Sequence, residues 1–266
     1  MKDNLHTKVD LENGSPAFAK PVLGEGAVDN LELLLSQPDE SVDLIYCDIL
    51  YGTGRNFGDY QDLKPIRSEI EAHYLPRLKE MHRILKPTGS IYLQMDTRIN
   101  HWIRCLMDDI FGYDNFRNEI IWSYDWGSRT KKWNSKHDNI LFYTKTNKYN
   151  LNPEKVDRKI NEATKKRMMY RGAMIKDDKT FPTCVWNIPT INAMSKERIG
   201  YATQKPKALI ERIIKASSNE GELVADFYLG SGTTCEVALE LGRRFIGCDI
   251  NPRAIEITKE RIEGVE

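Results

Sequence analysis

The chain has little that would tie it to an oxidising compartment, a membrane or a metal. Its five cysteines (Cys47, Cys105, Cys184, Cys235, Cys248) are odd in number and form no C-x-x-C pair. That pattern favours reduced thiols over a disulfide framework and offers no zinc site. No apolar run approaches the roughly 18 residues a membrane span needs. The opening Met1-Lys-Asp-Asn-Leu-His6 lacks the apolar region of a signal peptide, so a cytoplasmic protein with no membrane partner is expected. Gly-Lys-Ser/Thr is also missing, which excludes a phosphate-gripping P-loop.

Net charge is missing as well, since 39 Lys and Arg balance 39 Asp and Glu. The balance does not hold locally. From Arg129 to Lys176 there are 14 Lys and Arg against 4 Asp and Glu, so this stretch carries +10 and the remainder −10. Trp126, Trp133, Phe142, Tyr143, Tyr149 and Tyr170 lie in or beside it. Cations for phosphates and rings for bases are what a nucleic-acid surface requires. A solvated polar insertion would show the same charge run.

What is present reads as one α/β protein. At 266 residues, 40% of them apolar, the chain can bury a full core. Short apolar runs rich in β-branched and aromatic residues predict strands at 41–47, 90–95, 119–124, 139–143, 222–227 and 244–249. Helical patterns are expected at Ile66–Leu85, closed by Lys86-Pro87-Thr88-Gly89, at about 100–111, at about 206–216, after Gly232 and from Pro252. Strands alternating with helices imply a mostly parallel, doubly wound sheet covered on both faces. The stretch 145–200 has little amphipathic order and reads as an insertion. Trp122 and Trp186 are expected in the core, and His101 and His137 in surface or structural roles.

Two strand ends carry the chemistry. In Leu223-Val-Ala-Asp226-Phe-Tyr228-Leu-Gly230-Ser-Gly232-Thr-Thr234 a strand runs into a glycine turn and a helix, with Asp249 closing the next strand. Glycine permits a tight turn and close approach of a ligand, and the acid about 20 residues on is placed for ribose hydroxyls. Cys235 stands where a third glycine would complete a dinucleotide fingerprint, so a nicotinamide or flavin enzyme stays open on these residues alone. About 180 residues upstream, Asp43-Leu-Ile-Tyr-Cys-Asp48-Ile49-Leu50-Tyr51 ends a strand in an acid and an aromatic ring.

The order of blocks resembles that of a bacterial DNA amino-methyltransferase. The blocks are Asp48-x-x-Tyr51, Pro87-Thr-Gly-Ser-Ile-Tyr-Leu93, Asn115-Phe-Arg-Asn-Glu-Ile-Ile-Trp122 and Lys136-His-Asp-Asn-Ile-Leu-Phe-Tyr143. After them come Lys196-Glu-Arg198, Thr203-Gln-Lys-Pro206, the glycine turn and Arg243-Arg-Phe-Ile-Gly-Cys-Asp249. The catalytic block precedes the cofactor block, as in the β arrangement. The resemblance is to adenine-specific enzymes akin to type III modification subunits and small orphan or phage methylases, over about residues 22–262.

The resemblance implies a class I methyltransferase fold with a mixed Rossmann-like sheet. It implies S-adenosylmethionine around Asp226, Tyr228, Gly230, Ser231, Gly232, Thr233 and Thr234, with Asp249 on the ribose. Asp29 would approach the cofactor adenine, and Thr203, Gln204 and Lys205 would close over the methionine end. Asp48 would accept the target amine, Ile49 would offer its main-chain carbonyl, and Tyr51 would stack on a base flipped out of double-stranded DNA. Arg55, Arg129, Lys131, Lys132 and Lys136 would meet DNA, with Arg55-Asn-Phe57 on a loop able to fold over the base or cofactor. The implied organisation is a lead-in at 1–20, a catalytic half at 21–123, a recognition insertion at 124–200 that includes a core strand, and a cofactor half at 201–266. Many relatives pair as dimers, so the resemblance leaves a homodimer or a restriction subunit as candidate partners beside double-stranded DNA, and it implies a bacterial or phage protein at the nucleoid.

One departure matters. Asp-Ile-Leu-Tyr replaces the family's Asp-Pro-Pro-Tyr, so proline's fixed φ is lost and two extra N–H groups need partners. Adenine-N6 transfer is the leading reading, because aspartate at position 48 differs from the serine of many cytosine-N4 enzymes. Cytosine-N4 transfer is the alternative in the same class. A silent relative that only binds DNA or cofactor is the alternative outside it.

Overall fold

The computed structural model describes residues 22–23, 28–57, 60–125, 133–156, 158–159, 166, 170, 179–180, 182–263 and 265. The strands are β1 (Val22–Leu23), β2 (Val42–Asp48), β3 (Leu85–Met95), β4 (Phe116–Ser123), β5 (His137–Thr144), β6 (Arg158–Lys159), β7 (Lys179–Thr180), β8 (Val185–Asn187), β9 (Leu223–Asp226) and β10 (Arg244–Gly247). The helices are α1 (Asn30–Ser36), α2 (Arg67–Ile84), α3 (Asn100–Phe111), α4 (Lys207–Ser217), α5 (Thr233–Glu240) and α6 (Pro252–Ile262). Eight strands form one sheet in the order β1-β10-β9-β2-β3-β5-β4-β8. Neighbours from β1 to β3 are parallel, β5 is antiparallel to both β3 and β4, and β8 is parallel to β4. The sheet is therefore mixed, as the family resemblance implies, and mostly parallel, with β5 the antiparallel strand.

The two-residue period of a strand sends alternate side chains to opposite faces, and in β2 each face meets a core. Ile45 and Cys47 pack with Leu34, Leu78 and Ile103 of α1, α2 and α3. Leu44 and Tyr46 pack on the other side with Ile210, Val237 and Ile255 of α4, α5 and α6. Both faces are covered, so β2 is almost wholly buried and reads as a continuous apolar run. Trp122 and Trp186 lie in the second core, as expected from the sequence. Among the described residues no helix is long and apolar enough to cross a membrane.

The Lys86-Pro87-Thr88-Gly89 stop signal lies inside β3, not in a turn. Register passes from Val42↔Leu85 to Leu44↔Ser90, so the four residues bulge outward opposite Asp43. Lys86 Nζ reaches the Asp43 carboxylate there at 2.7 Å. Helix α2 ends at Ile84 as the sequence requires, but the chain stays extended because β2 pairs with it at once. Within 145–200, β8 joins the sheet edge beside β4, with Trp122 opposite Trp186. Three residues are too few for a periodic signal to reveal.

Candidate active site

Strands β2 and β9, far apart in sequence, are parallel neighbours at the sheet's centre, with Leu44 opposite Val224 and Ile45 opposite Ala225. Their C-terminal ends, Asp48-Ile49-Leu50-Tyr51 and Asp226-Phe-Tyr-Leu-Gly230, therefore open on the same edge. Ligand sites of open α/β sheets lie at this edge. A cavity of about 550 Å³ lies there, within the size range of small-molecule sites. Asp29, Asp48, Ile49, Tyr51, Thr203, Lys205, Tyr228, Gly230 and Asp249 line it. A small recess beside it is lined by Asp226, Ser231, Thr233 and Thr234.

Asp48 is held from two sides. The Tyr51 hydroxyl lies 2.8 Å from Asp48 Oδ1, and Lys205 Nζ forms an ion pair with Oδ2. Burial pushes the Asp48 acid above its usual range, while the Lys205 ammonium pulls it back and Asp138 pushes it up again. Tyr51 Oη also lies 2.7 Å from Asp138 Oδ2, so one hydroxyl stands between two carboxylates. Asp138 further accepts from Gln94 Nε2 at 3.0 Å and from Tyr124 Oη at 3.1 Å. Gln94, fully buried, donates to Tyr51 Oη at 3.2 Å and accepts from Tyr46 Oη at 2.8 Å.

Gln94 answers part of the proline question. Its main-chain carbonyl accepts the Ile49 N–H at 3.1 Å, the donor that a proline at 49 would lack. The Ile49 side chain is packed in the first core while the residue lines the cavity. Leu50 offers its carbonyl to Tyr74 Oη at 3.1 Å. The next turn is fixed by buried Asp62, which accepts from the Gly52 and Thr53 amides at 3.1 and 2.7 Å. The loop thus gains from neighbouring strands and helices part of the restraint that proline would build into the backbone.

On the cofactor side the Asp249 carboxylate accepts from Gly230 N at 2.8 Å and Asn251 N at 2.9 Å. A carboxylate has about four acceptor sites, so capacity remains towards the cavity. Asp226 accepts from Tyr228 N at 3.0 Å and Thr234 Oγ1 at 2.6 Å, and burial raises its acid to about 7. Gly230 and Gly232 have φ of +52° and +73°. A Cβ on Gly232 would lie 2.4 Å from Thr258 Oγ1, so this glycine is required by the packing of α6 under the loop. Asp29 caps α1 through Leu31 N at 2.8 Å and pairs with Arg77 Nη2, also at 2.8 Å. His73 Nε2 lies 3.3 Å from Tyr228 Oη, and burial together with the Arg77 charge lowers its basicity to a pKa of about 4.

Most residues singled out from sequence meet at this edge. Gln204 turns away, donating to the Glu197 carbonyl at 2.7 Å and accepting from Ile199 N at 3.0 Å, so its side chain shapes the loop. Arg55 and Asn56 are exposed, while Phe57 lines the cavity. Lys136 bonds the Asp125 carbonyl at 2.8 Å. Arg129, Lys131 and Lys132 lie outside the described residues. Gln94, Asp138, Arg77 and His73 were not legible as site residues. Asp138 sits in the Lys136–Tyr143 block, but no spacing rule joins it to Tyr51, 87 residues away.

A family model described as DNA methylase matches residues 42–260, and these span both strand ends and the cavity between them. The chain belongs to the DNA methylase family. This methylase is 36% identical over 246 residues to the type II methyltransferase M.HpaI of Haemophilus parainfluenzae, covering 89% of this chain and 71% of that one. It is 33% identical to the DNA adenine methyltransferase YhdJ of Escherichia coli K12, covering 88% and 81%. Among solved structures, the PvuII DNA methyltransferase, named as cytosine-N4-specific, matches with a TM-score of 0.65 at 19% identity, covering 88% of this chain and 84% of that one. The M1.HpyAVI–SAM complex matches with a TM-score of 0.60 at 17% identity, covering 91% and 98%.

Proposed function

We propose that this methylase transfers a methyl group from S-adenosylmethionine to the exocyclic N6 amine of adenine in a specific DNA sequence. The observation that carries the reading is the meeting of Asp48, Ile49 and Tyr51 with the Gly230–Asp249 turn around one cavity. An exocyclic amine is a poor nucleophile because its lone pair is delocalised into the ring. The Asp48 carboxylate and the Ile49 carbonyl, by accepting its two N–H bonds, would draw the nitrogen towards tetrahedral geometry. Catalysis is then positioning and electrostatics, without a covalent enzyme intermediate. Tyr51 presents its ring to the base while its hydroxyl stays tied to Asp48 and Asp138.

The cavity's chemistry fits the cofactor. Asp249 has acceptor capacity for a ribose diol, Phe227 and Tyr228 offer rings beside it, and Asp29 with Arg77 forms a polar end suited to an adenine. Bound S-adenosylmethionine supplies an activated methyl group. Thr203 lines the cavity there, and Lys205 beside it pairs with the Asp48 carboxylate.

Adenine is favoured because Asp48 heads the catalytic block and because YhdJ, matched over 81% of its own length, is named an adenine enzyme. The order β2 before β9 supports the β arrangement. Kinship with type III modification subunits rests on the sequence resemblance, whereas M.HpaI is named a type II enzyme. Recognition of the DNA sequence by residues 124–200, contacts from Arg55 and Lys136, and pairing with a second copy or a restriction subunit belong to the same reading.

The test is incubation with methyl-labelled S-adenosylmethionine and unmodified genomic DNA, then nucleoside identification. N6-methyladenine is expected. N4-methylcytosine would select the alternative base, and no labelled nucleoside would select a silent binding protein.

A further inference from the structure

Both carboxylate oxygens of Asp48 are engaged by other side chains, Oδ1 by the Tyr51 hydroxyl and Oδ2 by Lys205 Nζ. The lysine is built into this position. Its carbonyl accepts from Thr233 Oγ1 at 3.2 Å, at the start of α5. Pro206 opens α4 directly after it, and its ammonium also bonds the Thr203 carbonyl at 3.3 Å. Its side chain is 13% exposed and that of Asp48 18%. The ammonium stands 5.6 Å from the centroid of the Tyr51 ring. Lys205 therefore joins the cofactor turn to the catalytic acid.

We propose that the Lys205 ammonium is a stand-in for the substrate amine, holding the Asp48 carboxylate in the free protein and yielding that place to the exocyclic amine of the incoming base. The inference rests on the methyl-transfer reading and deepens it, because it turns a residue expected to close over the cofactor into a positioning residue for the acid. An ammonium matches an amine in the property that matters here, an N–H donor directed at a carboxylate. Removing it leaves a buried carboxylate among titratable neighbours of which the Tyr51 hydroxyl, donating to Oδ1, still favours the charge while burial and Asp138 oppose it. Those neighbours are Asp138 from β5, Asp226 from β9, Tyr46 within β2, Tyr124 just past β4, and Tyr51 and Tyr60 from the loop. Asp48 without Lys205 takes up a proton at higher pH, and the neutral carboxyl is then a weaker acceptor for the amine than the carboxylate.

The test compares the wild type with Lys205→Met and Lys205→Arg. Asp48 is titrated by carbon NMR of aspartate-labelled protein, with Asp48→Asn to assign the resonance, and cofactor affinity is measured by calorimetry with S-adenosylmethionine alone. The Asp48 titration should move up by about one pH unit or more in Lys205→Met and return in Lys205→Arg, with cofactor affinity within about twofold throughout. The acid limb of kcat/KM on unmodified genomic DNA should move with the titration, a loss of about tenfold per unit. An unmoved Asp48 titration in Lys205→Met would overturn the inference, as would a loss of cofactor affinity, which would make Lys205 a cofactor ligand. A wild type that methylates nothing would overturn the functional reading instead, while the titration would still decide the role of Lys205.

Discussion

At the scale of single residues, the Asp48 carboxylate, proposed to hold the target amine, depends on side chains that reach it from other elements. Asp48→Ala should abolish methyl transfer while calorimetry still shows S-adenosylmethionine binding; a wild-type rate in that variant would remove Asp48 from the mechanism. Asp138 lines neither the cavity nor the recess beside it, yet it anchors Tyr51, Gln94 and Tyr124. Asp138→Ala should lower kcat by about 10²-fold, the scale seen when a positioning contact is lost, with cofactor affinity unchanged. An equal fall in cofactor affinity would point to general unfolding of the edge. The motif marks Asp48 and Tyr51 in the sequence, but nothing local marks Asp138 or Gln94. Partners 43 to 87 residues away are joined only by the pairing of β3 with β2 and β5.

At the scale of elements, two short segments decide the geometry of the site. The loop Asp48-Ile49-Leu50-Tyr51 extends the β2–β3 ladder by one bond, Ile49 N to the Gln94 carbonyl. Ile49→Pro would delete it, at a cost of about 1 kcal/mol, partly offset by the reduced freedom of the unfolded chain. A lower melting temperature with turnover reduced would identify the Ile-Leu pair as an adaptation to this ladder; raised turnover would make it a weakened form of the family's proline turn. At the other segment, Gly232 is held at positive φ against Thr258 of α6. Gly232→Ala should destabilise the fold by roughly 1–3 kcal/mol, read as a fall in melting temperature, and Thr258→Ala in the same chain should recover part of it. The glycine was legible in sequence as part of a turn that admits a ligand. Its steric reason, a helix packed beneath the loop, was not.

At the scale of the whole molecule, the site concentrates acids in a buried edge, and this sets the sign of its pH dependence. Asp226 has its acid raised by burial from the usual carboxylate value to about 7. A group whose folded pKa exceeds its unfolded value contributes stability below the unfolded pKa, and loses it as pH rises through the folded one. Its contribution should therefore fall by a few kcal/mol between roughly pH 4 and pH 7. Asp226→Asn should flatten the melting temperature over that window, and an unchanged slope would show that Asp226 is not the group responsible. Asp48 and Asp249 are raised by burial too, so they act in the same direction.

The sequence by itself determined the alternation of strands and helices, the Asp48–Tyr51 block ahead of the glycine turn, and the acids at the two strand ends. These are local patterns of period, turn chemistry and motif, and they survive without knowledge of neighbours. Only the tertiary structure decided that β2 and β9 lie side by side, that β5 enters the sheet antiparallel and delivers Asp138, and that Lys205 reaches Asp48. The reason is physical. A carboxylate's charge state and a hydroxyl's partner depend on which distant groups share the same low-dielectric edge, and strand pairing across the chain sets that company.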